Sequence, residues 1–102
     1  MTIQQVLAGL DIPATYSHFT TPQEPPFVVY IGDGQRTMPA DDTFYHRKNA
    51  YQVEYYFTKK NEAAERDIED AILAGGFFYE KSSDEYLDEE DLFVIYYSVW
   101  AD

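Results

Sequence analysis

The chain has 102 residues, enough for one hydrophobic core and not for two, so a single domain over 1–102 is expected. Its net charge of −12 argues against sequence-specific or backbone binding of nucleic acid, which rests on clustered lysine and arginine displacing counterions. There is no cysteine, which removes disulfides and thiolate metal sites, and no apolar run of about 18 residues for a membrane span.

An apolar content of 45% fits a globular chain rather than a disordered one. The first residues, MTIQQVLAGL, lack the basic region and apolar core of a secretory signal, and a soluble protein of the cytoplasm is expected. Residues 2–9 suit a first helix capped by Thr2, with Ile3, Val6, Leu7 and Leu10 on one stripe and Pro13 as its stop. Ala14 to Phe19 reads as a short extended segment, and Pro22, Pro25 and Pro26 as a rigid extended connection. Phe27 to Ile31 is a compact apolar strand, after which Gly32-Asp33-Gly34 is expected to turn the chain. Met38 to Asp42 looks irregular, with Asp41-Asp42 in a turn. Phe44 and Tyr45 open a strand that runs on through Tyr51, with a bulge near Asn49 and Ala50.

The stretch from Tyr51 to Gly76 is the most strongly patterned. Tyr51, Val53, Tyr55 and Phe57 alternate with Gln52, Glu54 and Tyr56, the period of a strand with one buried face. Asn61 suits an N-cap, and Glu62 and Glu65 suit the positive end of the helix dipole. Ala64, Ile68, Ala71 and Ile72 form a narrow apolar stripe, and Gly75 or Gly76 closes the helix. The rest of this helix reads as a wide charged face: Glu62, Glu65, Arg66, Asp67, Glu69 and Asp70. Phe77 to Lys81 is a further strand, 82–91 an acidic connection, and Leu92 to Trp100 a strand apolar on both faces, one for helices and one for another subunit. The sum is an α+β domain, a largely antiparallel sheet of four to five strands with two helices packed on it, in the order α-β-β-β-α-β-β.

Little in the chain has the form of a catalytic site, and no enzymatic role, cofactor or metal is expected. His18 and His46 stand on separate segments without zinc-type spacing, and no nucleophile elbow or phosphate-binding glycine loop is present. The acids between Asp84 and Asp91 lack the alternating oxygens and central glycine of an EF-hand, and read as a solvated loop. Charge is uneven: residues 61–102 hold thirteen acids against only Arg66 and Lys81. Ten tyrosines in so short a chain exceed what one core takes in, and tyrosine is enriched at protein interfaces. The candidate oligomer, partner or lumen surface is therefore Glu62, Glu65, Glu69, Asp70, Asp84, Glu85, Asp88 and Glu89 with Tyr56 and Tyr97.

Ile12, Pro13, Tyr16, His18, Phe19, Pro22, Gln23, Pro25, Pro26, Phe27 and Tyr30 form a pattern that resembles small prophage-encoded proteins of long-tailed phages of Gram-positive hosts. Ala40-Asp41-Asp42, Tyr51 to Glu54, Phe78 to Lys81 and Leu92 to Tyr96 extend the likeness over nearly the whole chain. Such proteins look like head–tail joining or tail-completion components of the tail terminator class. The resemblance implies a homo-oligomeric ring, usually a hexamer, that caps the tail tube and docks it on the head connector, in the virion and, during assembly, in the host cytoplasm. It carries no catalytic residue. A negative lining would let DNA slide through such a ring. The alternatives are a head-completion (stopper or connector) protein, or an acidic DNA-mimic inhibitor of a basic host protein. Reversal of Glu65, Glu69 and Asp70 to lysine is expected to spare the fold and alter assembly.

Overall fold

A computed structural model describes residues 1–40 and 44–101, so the expected turn at Asp41-Asp42 lies outside the described residues. The elements run α1 (Ile3–Ala8), β1 (Ala14–Tyr16), β2 (Phe27–Ala40), β3 (Phe44–Phe57), α2 (Glu62–Ala74), β4 (Phe77–Lys81), β5 (Glu85–Leu87) and β6 (Leu92–Ala101). This is the α+β class and order read from the sequence. It has six strands rather than four or five because the acidic connection holds the three-residue β5.

The strands form one open mixed sheet in the order β1-β2-β3-β6-β4. β1 runs parallel to β2, and every other pairing is antiparallel. Because β3 occupies one edge of β6, β4 and the short β5 share the other, one at each end of that strand. The alternation read in β3 holds: Val53, Tyr55 and Phe57 are buried, while Gln52, Glu54 and Tyr56 between them remain partly exposed.

Both helices cover the same face. Ile3, Val6 and Leu7 of α1 and Ile68 and Ile72 of α2 join Val28, Val53, Tyr55, Ile95, Tyr97 and Val99 in one core. Each fully buried Ile or Val side chain contributes about 1.5–3 kcal/mol by leaving water, so this face supplies most of the driving force. Thr2 caps α1 as expected, and Gln5 reciprocates by accepting from the Thr2 backbone N–H at 2.9 Å. Asn61 caps α2, its side-chain oxygen accepting from the Ala64 N–H at 3.1 Å. Gly75 ends the helix where a Cβ would run into the Val6 side chain, and Gly76 takes the left-handed φ of +88° that leads into β4.

The opposite face of the sheet is covered by the chain itself only in part. Val29 and Val94 lie buried there, apart from the helix-side core. The 17–26 segment flanks it, with Phe19 edge-on to Phe27 at 5.5 Å and Phe27 stacked on Tyr56 at 5.0 Å. The end near Phe78 and Trp100 stays open, with Phe78 46% exposed and Glu80 and Ser98 exposed beside it.

Two expectations are corrected in β2. Gly32-Asp33-Gly34 does not turn the chain, and Met38-Pro39-Ala40 is not irregular: β2 runs on to Ala40 in register with β3. The glycines serve a bulge instead. Gly32 pairs with Tyr51 and Gln35 with Asn49, so Asp33 and Gly34 stand against the single residue Ala50, and Gly34 adopts φ of +92°. The bulge expected near Asn49 and Ala50 thus falls on the facing strand. Beyond it the hairpin leaves the sheet, because β6 pairs no further along β3 than Ala50. Stem positions 35–40 and 44–49 pair only with each other and form an arm on a molecule 52 × 26 × 25 Å in extent.

Candidate interaction site

The acids proposed as a surface divide into three groups. The first turns inward. Glu65 is 2% exposed, and Glu69 is half-buried beside it. Lys60, just before α2, lies 2.7 Å from Glu65 Oε2, and Lys81, at the end of β4, lies 2.8 Å from Glu65 Oε1 and 2.9 Å from Glu69 Oε2. The Tyr97 hydroxyl donates to Glu69 Oε2 at 2.7 Å, and Tyr79 donates to Oε1 at 3.4 Å. Lys60 reaches further to Asp84 at 3.0 Å. Glu65 Oε2 has no hydrogen bond of good geometry, and its compensation is the Lys60 charge.

Glu65, Glu69 and Tyr97 are therefore corrected as surface residues. They form an ionic latch that fixes α2 to β4 and β6. Burial raises the pKa of Glu65, but hydrogen bonds and charge from Lys60 and Lys81 outweigh it and hold the carboxyl below the usual range. The same balance, with Lys81 and Tyr97 as the main donors, lowers Glu69. Burial, then the bond to Glu69, pushes the Tyr97 phenol up. Burial alone would lower Lys81, yet its two carboxylate partners raise it.

A sequence signal for the latch was present. Glu65 and Glu69 stand three residues before Ile68 and Ile72, on the flank of the buried stripe. Lys81 continues the period-two row of Phe77 and Tyr79, and so points to the helix face. An acid pair on the inner side of a helix and a base on the inner side of a strand predict each other.

The second group, Glu62 and Asp70 with Asp67, is exposed on the outer side of α2. Asp67 and Asp70 line an open cleft of about 260 Å³ with Asp11. The third group, Asp84, Glu85, Asp88 and Glu89, is exposed around β5 and the turn into β6. Tyr86, which the reading of the chain missed, is 50% exposed there, tilted on Phe93 at 5.1 Å and donating to Asp91 at 2.6 Å. Nothing in the sequence marked it, since a tyrosine in an acidic run has no periodic neighbours.

Tyr56 stands apart from these three groups of acids. It is half-buried and lines a cleft of about 340 Å³ between the 17–26 segment and the turn that precedes β6. Phe19, Phe27, Tyr56 and Leu92 form the apolar part, and Glu54 and Glu90 the acidic part. Glu54 accepts from Tyr56 at 2.5 Å and from Gln52 at 2.9 Å, and burial followed by this bond raises the Tyr56 phenol. His18 borders the same cleft, exposed and bonded to Ser17.

Among the described residues no cluster of three His, Cys, Asp or Glu is arranged to hold a metal ion, and no helix is long and apolar enough to cross a membrane. Compared with known proteins, the chain matches no family model and no curated protein.

Proposed function

We propose that this chain is a structural protein of phage assembly, a tail terminator or tail-completion component that forms a ring at the head–tail junction. In this role it caps the tail tube and joins it to the head connector. The observation that carries the reading is the run from Ile12 to Tyr30 together with its later matches, in an α+β chain whose elements keep the same order. Two features support it. The exposed Phe78 and Tyr86 and the projecting arm give the chain contact surfaces beyond its own core. The acids that remain outside, around β5 and on the outer side of α2, concentrate negative charge on part of the surface. The DNA-mimic alternative needs a regular acidic helix face, and the inward turn of Glu65 and Glu69 removes two of its members.

The test is to add the purified chain to polymerising tail-tube protein and to image the product by electron microscopy. Tubes of arrested length with a ring of added density at one end are expected. Tubes that grow on unchanged, with no bound chain, overturn the reading. Binding to the connector without binding to tubes replaces it with the head-completion role.

A further inference from the structure

The cleft on the side of the sheet away from the helices has a volume of about 340 Å³. That is the small end for ligand sites, and it suits one side chain better than a cofactor. Three separate segments build it. The sheet gives the floor, where Phe27 stacks on Tyr56 at 5.0 Å and Val29 lies buried beside them. The 17–26 connection gives one wall, with Phe19 edge-on to Phe27 at 5.5 Å. The turn before β6 gives the other, with Glu90.

The charge in this cleft has no counterpart. Glu54 stands on β3, the middle strand of the sheet, and is half-buried. Its carboxylate accepts from the Tyr56 hydroxyl at 2.5 Å and from Gln52 at 2.9 Å, and both donors are neutral. A carboxylate drawn part-way out of water gains most from a cation, yet the ion pairs among the described residues leave out both Glu54 and Glu90. Lys60 and Lys81 are engaged on the helix side, with Glu65, Glu69 and Asp84. Among the described residues no lysine or arginine lines the cleft, and residues 84–91 beside it hold six acids and no base. Both carboxylates act on one phenol: burial first, then the bond to Glu54 and the charges of Glu54 and Glu90, push Tyr56 up.

We propose that this cleft receives an arginine side chain from a partner protein. The apolar stem of the arginine lies along the aromatic floor, and its guanidinium reaches Glu54 and Glu90. Arginine fits better than lysine for two reasons. Its planar fork of donors meets carboxylates on the floor and on the wall at once, and its flat face packs on aromatic rings. An ammonium is a strongly hydrated point charge, and it loses more water on entering such a site. A residue within a polypeptide also fits better than free arginine, whose own carboxylate would face the acids of 84–91. In the assembly role proposed above the arginine would belong to the tail-tube or connector protein, but the chemistry of the cleft stands without that role.

The probe is Nα-acetyl-arginine N-methylamide, titrated into the isotope-labelled full chain and followed by NMR. Saturable shifts are expected at Val29, Glu54, Tyr56 and Glu90, with Asp67 and Asp70 on the outer side of α2 unmoved. The citrulline analogue keeps the shape and loses the charge. It should bind about tenfold or more weakly, as when a charge-assisted hydrogen bond is removed. Glu54→Gln and Glu90→Gln should each weaken the arginine probe by a similar factor, while Asp67→Asn/Asp70→Asn leaves it unchanged. Equal binding of citrulline, shifts spread evenly over the exposed acids, or no saturable shift overturns the proposal. So does a lysine probe that binds as well, which would show that the cleft reads charge alone. Tighter binding of free L-arginine would overturn it in favour of a small-molecule ligand. Matching thermal melts establish that the glutamine variants fold, and for one that does not, the ratio of arginine to citrulline binding on the wild type decides.

Discussion

Helix α2 carries two rows of carboxylates with opposite fates. Glu65 and Glu69 turn in, onto Lys60 and Lys81, while Glu62, Asp67 and Asp70 turn out to solvent. The apolar stripe of this helix is narrow, two isoleucines flanked by Ala64 and Ala71, and leaves its rotation on the sheet loosely defined. The inner row supplies what the stripe lacks. It fixes the roll of α2 against β4 and β6 through distances of 2.7–2.9 Å. The lesson is that a high acid count on a helix does not measure its negative surface.

The sharpest way to break the comparison is Glu65→Lys. It would place three ammonium groups around one buried site. Removing one partner of a buried pair costs about 3–5 kcal/mol, a large share of the roughly 5–15 kcal/mol that holds a domain together. We expect loss of a cooperative melt or a large fall in the urea midpoint. An unchanged midpoint would show that the inner row does not hold the helix.

Acid should act on the same row without mutation. Both Glu65 and Glu69 have folded-state pKa values below their ordinary value of 4.5. Their contribution is therefore complete above that value and is lost as pH falls through the lowered folded-state values. Lys81, raised from 10.5, keeps its part at all lower pH and loses it only as pH rises beyond that value toward the folded one. Melts from pH 7 down to pH 3 should fall more steeply for the wild type than for Glu65→Gln/Glu69→Gln. Parallel curves would contradict the latch.

Glu69→Ala should cost less, about 1–3 kcal/mol, mainly because the buried Tyr97 hydroxyl loses its acceptor. Asn61→Ala removes the cap that starts the helix next to Lys60, for about 1 kcal/mol. Ordered midpoints in urea, with Glu65→Lys lowest and Asn61→Ala nearest the wild type, check this ranking.

What could be read from the chain follows from how far each pattern is local. The strand at Tyr51–Phe57, the Asn61 cap and the Ile68–Ile72 stripe depend on spacing within one element, and all three stand as read. The arm did not show, because Gly32-Asp33-Gly34 has the composition of a turn and only the partner strand reveals that it is a bulge. β5 is three residues long and exists through its pairing with β6, so an acidic run concealed it. The candidate surface failed where it needed tertiary knowledge. Glu65 and Glu69 are polar residues whose compensation lies on β4 and the loop before α2. Tyr97 was counted as surplus aromatic, yet the core takes it in fully because Glu69 meets its hydroxyl. The 340 Å³ cleft combines segments more than sixty residues apart and left no local trace.

The smallest expected effect belongs to the outer row. Asp67 and Asp70 are exposed, and the ion pairs of α2 among the described residues are made by Glu65 and Glu69. Both outer acids border the open cleft near Asp11, so Asp67→Lys/Asp70→Lys removes repulsion there as well as solvation. The net change in stability should stay within about 0.5 kcal/mol, the range of surface substitutions away from caps and cores. A reversal of Glu65, Glu69 and Asp70 together would merge this neutral change with the two costly ones, and its lost assembly would report unfolding. The outer pair alone separates the two. With the midpoint held, any change in tube capping reads the role of that surface in assembly, and unchanged capping identifies it as solvated charge. A midpoint lowered by several kcal/mol would mean that the outer row, too, contributes to holding α2 on the sheet.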